Sequence, residues 1–297
     1  MRLILVFCLL LSLDAAAQIR PFQTTRLVST SGAGVASLLV SETAILNPAS
    51  LAFFSDTFVS YQNTNSDLKS KNDQRDTDGR TFSKSNRQEG YFLFDNASTI
   101  KGGFSYQYQK ENGFQRKRGT ATLASNLGES MAFGVIYKYT EDTRPEEYNY
   151  RHRVSHPVTL GLTWVYIPSL IFGATWDDPG RATPGESRAT VGAQYNLTER
   201  LMIIFDAGGD PTIDFSDSRI WRGAAQYNPF ADLFIRAGRY QDRALNLEGE
   251  SWGVSWTGPK LGVDFAMRNS RQIEDKLGFL YRREKISDVS FAFNLRF

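Results

Sequence analysis

The chain has little cysteine, little histidine and no long apolar run beyond its first residues. Cysteine occurs once, at Cys8, and histidine only at His152 and His156. A disulfide framework needs paired cysteines, and zinc sites draw on several thiolates or imidazoles, so we expect no disulfide, no metal and no cofactor. The formal charge of +2 gives no reason to expect a nucleic-acid partner, because such partners require a strongly basic surface.

The N-terminus has the layout of a secretory signal peptide. Arg2 precedes an apolar run from Leu3 to Leu13, and Ala15-Ala16-Ala17 places small residues where a signal peptidase cleaves. We therefore expect residues 1–17 to be removed before Gln18. The alternative of a membrane anchor would need an apolar run of about 20 residues, which this one does not reach. A lipoprotein site would need a different context around the single cysteine.

Later in the chain the apolar residues recur with a period of two. Val289, Phe291, Phe293, Leu295 and Phe297 alternate with Ser290, Ala292, Asn294 and Arg296. This alternation is typical of strands with one apolar and one polar face. The same pattern predicts fourteen strands, near 57–63, 88–95, 100–109, 117–126, 130–140, 154–166, 170–177, 187–196, 201–207, 219–227, 233–240, 249–257, 260–269 and 288–297.

The less apolar face of these strands favours a membrane barrel over a secreted β-sandwich. It is rich in Gly, Ala, Ser, Thr and Gln with scattered charges, as expected for a lumen, and the aromatic content of 13% suits interfacial girdles. Short links alternate with long polar ones, of which Thr64 to Gln88 is predicted to be an exposed loop. We therefore predict an all-β, antiparallel transmembrane β-barrel over residues 57–297, with fourteen strands (twelve and sixteen being the alternatives).

Charged and aromatic residues on these strands suggest two further roles. Facing the lumen, six charged residues are candidates for gripping an internal element or orienting a ligand: Asp206, Arg222, Arg236, Asp264, Arg268 and Arg296. Facing outward, Phe293, Leu295 and the terminal Phe297 resemble the C-terminal signal that the barrel assembly machinery reads.

Residues 18–56 differ from the strands that follow. Gly32 and Gly34 lie in a small-residue stretch, and Asn47-Pro48-Ala49 favours a turn with a short helix after it. We interpret residues 18–56 as a compact segment that plugs or lines the barrel. The alternative is a disordered periplasmic tail.

This stretch resembles the start of the FadL-like outer-membrane superfamily, in which a small-residue segment and an Asn-Pro-Ala motif precede the first strand. Asn47, Pro48 and Ala49 match that motif, with Leu51 following. The C-terminal third is closest in layout to the PorV and PorQ branch, through 222–227, 230–240 and the strand 261–267. The resemblance implies a fourteen-stranded barrel with an N-terminal plug, which carries hydrophobic small molecules or serves secretion.

Two local patterns suggest other chemistry. Gly249-Glu250-Ser251-Trp252-Gly253 matches a nucleophile elbow, but that motif needs a strand-to-helix turn and Ser251 lies in an alternating strand. Asp73, Asp76 and Asp78 have part of the spacing of a calcium loop but lack the distal glutamate. We expect neither an enzyme nor a calcium site.

The sequence therefore predicts a protein of the Gram-negative outer membrane that binds or passes small apolar molecules. A role as a non-enzymatic partner or shuttle in protein secretion or surface attachment, and a purely structural role, are the alternatives. The expected partners are outer-membrane lipids, lipopolysaccharide and the barrel assembly machinery, with apolar small molecules or secreted proteins according to the function.

Overall fold

A computed structural model describes residues 19–38, 40–71, 83–95, 100–111, 113–143, 152–183, 185–273 and 283–297. Its strands are β1 (Phe58–Lys71), β2 (Ser83–Asp95), β3 (Lys101–Glu111), β4 (Phe114–Asn126), β5 (Met131–Thr143), β6 (His152–Ser155), β7 (Val158–Ile167), β8 (Leu170–Asp177), β9 (Arg188–Asn196), β10 (Leu201–Gly209), β11 (Ile220–Phe230), β12 (Leu233–Asp242), β13 (Leu247–Thr257), β14 (Leu261–Gln272) and β15 (Arg283–Arg296).

These strands form one antiparallel sheet that closes on itself. β1 pairs with β2 on one side and with β15 on the other, and the pairing of β4 with β5 completes the ring. β6 and β7 both pair with β5 and occupy one position in the ring, interrupted at Pro157. Proline lacks the amide proton that a ladder needs, although its carbonyl still accepts a 3.0 Å bond from the amide of Lys138. The described strands therefore form a fourteen-stranded antiparallel barrel, as predicted.

The predicted loop from Thr64 to Gln88 is wrong at both of its ends. β1 continues to Lys71 and β2 already begins at Ser83, with Thr64 opposite Gln88 in the ladder. Above the membrane the outward face no longer needs apolar side chains, so the apolar alternation stops although the hydrogen-bonded ladder continues. Only residues 72–82 of this stretch lie outside the described part of the chain.

The outer surface carries a belt of exposed apolar side chains. It includes Phe104, Leu123, Phe205 and Trp252, which are 48–66% exposed. Tyr61, Tyr91 and Tyr106 lie side by side on neighbouring strands, with ring centroids 5.1 and 6.5 Å apart. A soluble protein would not leave so continuous a band in water, whereas a barrel in lipid requires one. None of the described helices is long and apolar enough to cross a membrane.

The two ends of the barrel differ in the length of their links. Five links at the end that also holds the C-terminus have two to four residues: 127–130, 168–169, 197–200, 231–232 and 258–260. The other end has two connections of ten residues, 178–187 and 210–219, the latter containing the helix α2 (Phe215–Ser218), beside the short links 112–113 and 243–246. We name these the short-turn end and the long-loop end. In membrane barrels short turns face the periplasm.

Residues 19–38 and 40–54, here the N-terminal segment, lie inside the ring of strands. They form the helix α1 (Thr25–Ser29) and two 3-10 helices, Ser41–Ala44 and Pro48–Phe53. α1 packs against β12 to β15, whereas the second 3-10 helix packs against β4, β5 and β7 on the opposite wall. The segment therefore spans the lumen from wall to wall before the chain enters β1.

Candidate functional site

The lumen and the N-terminal segment inside it form the candidate site. Asn47 anchors the segment to the wall: its Nδ2 donates to the carbonyl of Leu162 at 3.2 Å and to Oγ1 of Thr163 at 3.0 Å, both on β7. Its Oδ1 accepts a 3.1 Å bond from the amide of Ala49, which caps the 3-10 helix that begins at Pro48. All three residues of the Asn-Pro-Ala motif thus contribute where the segment meets β7: Asn47 bonds to the strand, Pro48 begins the 3-10 helix, and the amide of Ala49 donates to the capping oxygen.

The small-residue stretch forms a turn at 31–36, here called the gripped turn because side chains of β10 and β11 hold it. Gly32 has a φ of +83°, a conformation that favours glycine. The carboxylate of Asp206 accepts bonds from the amides of Gly34 at 2.8 Å and Val35 at 3.2 Å, and Arg222 donates to the carbonyl of Gly32 at 3.0 Å. Two of the six predicted lumen charges therefore hold the turn that contains both predicted glycines.

The other four predicted lumen charges are spread more widely. Arg268 donates to Asp288 at 2.6 and 2.8 Å and to Gln23 of the N-terminal segment. Arg236 is buried and lies 3.7 Å from Asp264. Arg296 is the last residue of β15 and is exposed at the short-turn end. The structure thus brings Arg268 to the N-terminal segment and leaves Arg296 at the rim.

Several buried ion pairs in the lumen were not predicted. Arg20 of the N-terminal segment donates to Glu111 at 2.6 Å and lies 3.3 Å from Asp288. The further pairs are Arg116 with Asp142, Arg118 with Glu186, Lys138 with Asp177 and Arg188 with Asp242. Alternation alone places Arg116 and Arg118 on one face, but their partners depend on strand register and on a loop, which the sequence pattern does not specify.

Inward-facing glycines let the N-terminal segment approach the wall closely. At Gly134, Gly161, Gly173 and Gly238, an added Cβ would lie closer than 3.0 Å to an atom of that segment. Three of these contacts are with backbone atoms, of Ala49, Val35 and Thr30. A side chain at these positions would push the segment away, so the glycines define where it fits. Their contact with the segment was not anticipated from the sequence.

A cavity of about 80 Å³ remains toward the long-loop end. One side is apolar and comes from the N-terminal segment, through Phe22, Leu27, Ile45 and Leu46. The opposite side comes from the barrel wall and the β8–β9 connection and is charged, with lining residues Arg118, Lys138, Asp177, Asp178, Glu186, Arg188 and Arg222. The cavity is therefore amphipathic, and its charged side is largely paired within itself.

A larger chamber of about 510 Å³ lies at the short-turn end. It is lined by polar side chains of β9 to β11, including Gln194, Asn196 and Gln226, and by Met202. Between the two spaces, Ala33 of the gripped turn packs with Ile204 and Ala224 of the wall. The turn therefore separates the two spaces along this wall.

The remaining predicted residues lie away from the N-terminal segment or have structural partners. Phe293, Leu295 and Phe297 are 46%, 44% and 78% exposed on the outer surface. Ser251 of the elbow-like motif is buried in β13 and donates to the carbonyl of Ser29 at 2.9 Å.

Among the described residues, neither the histidines nor the potential metal ligands of the sequence form a catalytic or metal-binding site. His156 is exposed and pairs with the hydroxyl of Tyr137 at 2.7 Å, away from the lumen. No group of three or more potential metal ligands occurs in the described ranges. Asp73, Asp76 and Asp78 lie outside them.

Among solved structures, outer-membrane channels have the same fold. A "CymD monoaromatic hydrocarbon channel" matches 92% of this chain and 97% of its own, with a TM-score of 0.70 at 12% identity. A Pseudomonas aeruginosa FadL homologue matches 95% and 99%, with a TM-score of 0.65 at 14% identity. The Pseudomonas putida toluene transporter TodX matches 94% and 98%, with a TM-score of 0.68 at 12% identity.

No protein-family model and no curated protein matches the sequence. The structural likeness therefore rests on the arrangement of strands at low sequence identity. It establishes that the chain has a FadL-like barrel fold.

Proposed function

We propose that the protein is an outer-membrane channel for small hydrophobic molecules, with the N-terminal segment as its plug. The observation that carries this proposal is the amphipathic cavity beside that segment, in a barrel with the fold of hydrocarbon channels. Pockets for small molecules are mostly apolar and have a few polar groups that set orientation. Phe22, Leu27, Ile45 and Leu46 supply such an apolar side.

A second apolar surface supports entry from the long-loop end. Leu68, Tyr240, Leu247 and Ile286 form a buried cluster at the tops of β1, β12, β13 and β15, inside the ring. An apolar molecule that leaves the outer leaflet would bind to this cluster, which shields it from water, before it reaches the cavity. The cluster and the cavity lie toward the same end of the lumen.

Passage through the lumen requires the N-terminal segment to move. The segment is held by polar contacts at separate points, among them those of Arg20, Asn47 and Asp206. Because the described sheet is hydrogen-bonded all the way round, the ends of the lumen are the direct routes. Local rearrangement of the turn at 31–36, rather than opening of the wall, is the motion that this architecture favours.

Localisation and partners follow from the same proposal. The apolar belt would face outer-membrane lipids and lipopolysaccharide, and the outward row ending at Phe297 would be read by the barrel assembly machinery. Cleavage before Gln18 would release the mature chain from its signal peptide.

The proposal is tested by uptake into intact Gram-negative cells that express the full chain, since their lipopolysaccharide leaflet slows apolar solutes. The initial rate of radiolabelled toluene uptake is compared with that of glycerol. We expect the chain to raise the toluene rate above that of an empty vector and to leave the glycerol rate unchanged. No rise for toluene, or equal rises for both solutes, would contradict it.

A pair of matched variants links uptake to the cavity. Ile45→Lys places a charge on its apolar side, whereas Ile213→Lys makes the same change on the exposed β10–β11 connection. Toluene uptake should fall with the first variant and not with the second. Heat-modifiable migration in gels verifies that both barrels are folded.

A further inference from the structure

A row of aromatic side chains on the outer face of β1 to β5 is interrupted at one strand. Tyr61, Tyr91 and Tyr106 follow one another in register on β1, β2 and β3. Tyr139 of β5 belongs to the same row, and the residue of β4 that lies in register between it and Tyr106 is Gly119. Aromatic rows of this kind mark the boundary between membrane and water, so the gap lies at that boundary.

This gap is the upper part of a groove on the outer face of β4, here the β4 groove. A Cβ at Gly119 would meet nothing within 4 Å, and the next outward residue, Ala121, is also small. In register with Ala121 are Phe104 of β3 and Tyr137 of β5, which are 66% and 47% exposed. Because neighbouring strands lie about 4.8 Å apart, the aromatic side chains of β3 and β5 form two walls around a floor one strand wide. The groove therefore has room for one extended hydrocarbon chain.

Two lysines lie directly above the β4 groove, toward the long-loop end. Lys117 is the outward residue of β4 that precedes Gly119, and Lys110 of β3 is in register with Gln115, two residues before Lys117. Both lysines are exposed, and neither forms an ion pair within the part of the chain that the structure describes. Their ammonium groups are thus available at the level where lipid headgroups begin.

The acidic residues of this region do not cancel the positive charge. Glu141 is in register with Lys117, but its carboxylate accepts a 2.9 Å bond from the hydroxyl of the tyrosine two residues earlier on β5. Glu89 of β2 forms an ion pair with Arg87. Lys110, Lys117 and Arg87 therefore outnumber the two glutamates on this part of the outer face. A positive patch above an apolar groove is complementary to a lipid with a phosphate headgroup.

We propose that the β4 groove is a specific binding site for lipopolysaccharide. One acyl chain of lipid A would lie over Gly119 and Ala121 between the aromatic walls, and a lipid A phosphate would accept charge-assisted hydrogen bonds from Lys110 and Lys117. Since short turns face the periplasm in membrane barrels, the lysines lie on the external side, where lipopolysaccharide forms the leaflet. The inference rests on the outer-membrane location in the proposed function and not on transport.

Native mass spectrometry of the full chain in detergent tests this site. The chain is titrated with lipid A that carries both phosphates, and phosphatidylglycerol serves as the comparison because it is anionic but lacks the lipid A headgroup. We expect one lipid A adduct to saturate, with an affinity about tenfold higher than that for phosphatidylglycerol, or about 1.4 kcal/mol.

Filling the groove should remove the site without harming the barrel. Gly119→Trp completes the aromatic row, which favours the folded sheet through cross-strand aromatic contacts, and should weaken lipid A binding about tenfold. Gly223→Trp is the matched control. A Cβ at Gly223 would approach only Phe205, at 4.0 Å, and its other neighbour in register is Arg239, so no second aromatic wall exists there. Its affinity should stay unchanged.

A second pair of variants tests the headgroup contact. Lys117→Gln should weaken lipid A binding about tenfold, whereas Lys260→Gln removes the same charge from an exposed link at the short-turn end and should have no effect. Heat-modifiable migration in gels verifies that each barrel is folded. If Gly119→Trp does not fold, the lysine pair still decides the outcome.

The proposal is overturned by any of four results: no saturable lipid A adduct, equal affinity for lipid A and phosphatidylglycerol, unchanged affinity in folded Gly119→Trp, or equal effects of Lys117→Gln and Lys260→Gln. Equal affinity for the two lipids would mean that the groove accepts anionic lipids in general. Because toluene uptake is measured separately, failure here leaves the proposed channel function unaffected, and failure of toluene uptake leaves lipid A binding to be measured.

Discussion

Asp206 and Gly173 fix the N-terminal segment in different ways. The buried carboxylate of Asp206 accepts hydrogen bonds from the amides of Gly34 and Val35, and these bonds hold the turn in place. Gly173 contributes only the absence of a side chain, because a Cβ there would meet the backbone of Val35 closer than 3.0 Å. The position of the turn thus depends on a charge on one strand and on free space on another.

Replacing Gly173 with alanine should loosen this fit. The new methyl group would overpack a backbone contact that cannot rotate away, at a typical cost of about 1–3 kcal/mol. The measurement is the free energy of unfolding in urea, together with the rate at which a protease cuts the N-terminal segment. Gly119→Ala is the matched control, because a Cβ at that glycine would meet nothing within 4 Å. Equal behaviour of the two variants would show that Gly173 does not position the segment.

Lipid-facing and lumen-facing positions should respond differently to an added charge. Val263 points outward within the apolar belt, and Gly262 points inward beside Asn294. Val263→Arg should cost roughly 2–4 kcal/mol, since it places a cation in hydrocarbon, whereas Gly262→Arg should cost less in a polar lumen. A reversible folding assay in lipid vesicles measures both. Equal destabilisation would contradict the assignment of the two faces.

At the residue scale, the sequence predicts which face of the barrel a side chain points to, but not the residue with which that side chain pairs. The faces of Val263 and Arg268 follow from alternation, because successive strand residues point to opposite sides. The pairing of Arg268 with Asp288 depends on the register of two strands, and alternation does not determine register. For the same reason the glycine contacts escaped prediction, since each involves a partner far away in sequence.

Among the elements, the connection between β8 and β9 is the one most clearly held by charge. Glu186, in this connection, accepts a 2.7 Å bond from Arg118 and also contacts Arg116, both on β4. Burial alone would raise the pKa of Glu186, but Arg118, Arg116 and Lys138 outweigh it and lower the pKa to about 2. The carboxylate therefore stays ionised and ties the connection across the lumen.

Acid should release this connection. Because the folded-state pKa of Glu186 is below its ordinary value of 4.5, its stabilising effect is fully present above pH 4.5 and is lost as the pH falls through 2. The hydrogen-exchange protection factor of the Glu186 amide, which donates to the carbonyl of Thr183, should decrease over that range. Glu186→Gln should remove this dependence. A protection factor that stays constant from pH 6 to pH 2 in the unmodified chain would count against the ion pairs.

The N-terminal segment is the element on which the proposed closure depends. Deleting Gln18 to Val40 removes α1 and the gripped turn and keeps Asn47 and the second 3-10 helix. The charges left behind would face water, where unpaired charges cost little. We expect higher conductance in planar bilayers from a barrel that still migrates as folded. Unchanged conductance of the folded deletion would rule out this segment as the closure.

The ends of some strands were predicted more accurately than the ends of others, for a physical reason. Inside the membrane belt the outward side chains must be apolar, so strands such as β5 and β14 begin and end within a few residues of the prediction. Above the belt this requirement disappears, and β1 extends eight residues beyond the predicted end at residue 63, to Lys71. The Asn-Gly dipeptide before β4 is a hairpin signal that the alternation-based prediction did not use.

For the whole molecule, strand number and lumen content are connected. A barrel of about eight strands is filled by its own side chains, whereas fourteen strands leave additional space. Here that space holds the N-terminal segment, its ion pairs and two cavities. The period of two predicted the strands, and the composition of their less apolar face, with the alternation of short and long links, predicted that they close into a membrane barrel. Which molecule the proposed channel would bind depends on cavity shape and on side-chain pairings from every wall, which local sequence patterns do not encode.

Reversible locking of the N-terminal segment tests most directly whether passage requires it to move. Ser31 of the gripped turn and Ser251 of β13 have their Oγ atoms 2.8 Å apart, close enough for a disulfide after modest adjustment. The one cysteine of the sequence is Cys8, which the expected cleavage before Gln18 would remove, so a Ser31→Cys, Ser251→Cys double variant would form a single crosslink. Toluene uptake should be low while this crosslink is oxidised and should return to the unmodified rate on reduction. Uptake at the unmodified rate by the fully oxidised variant would contradict the requirement for movement.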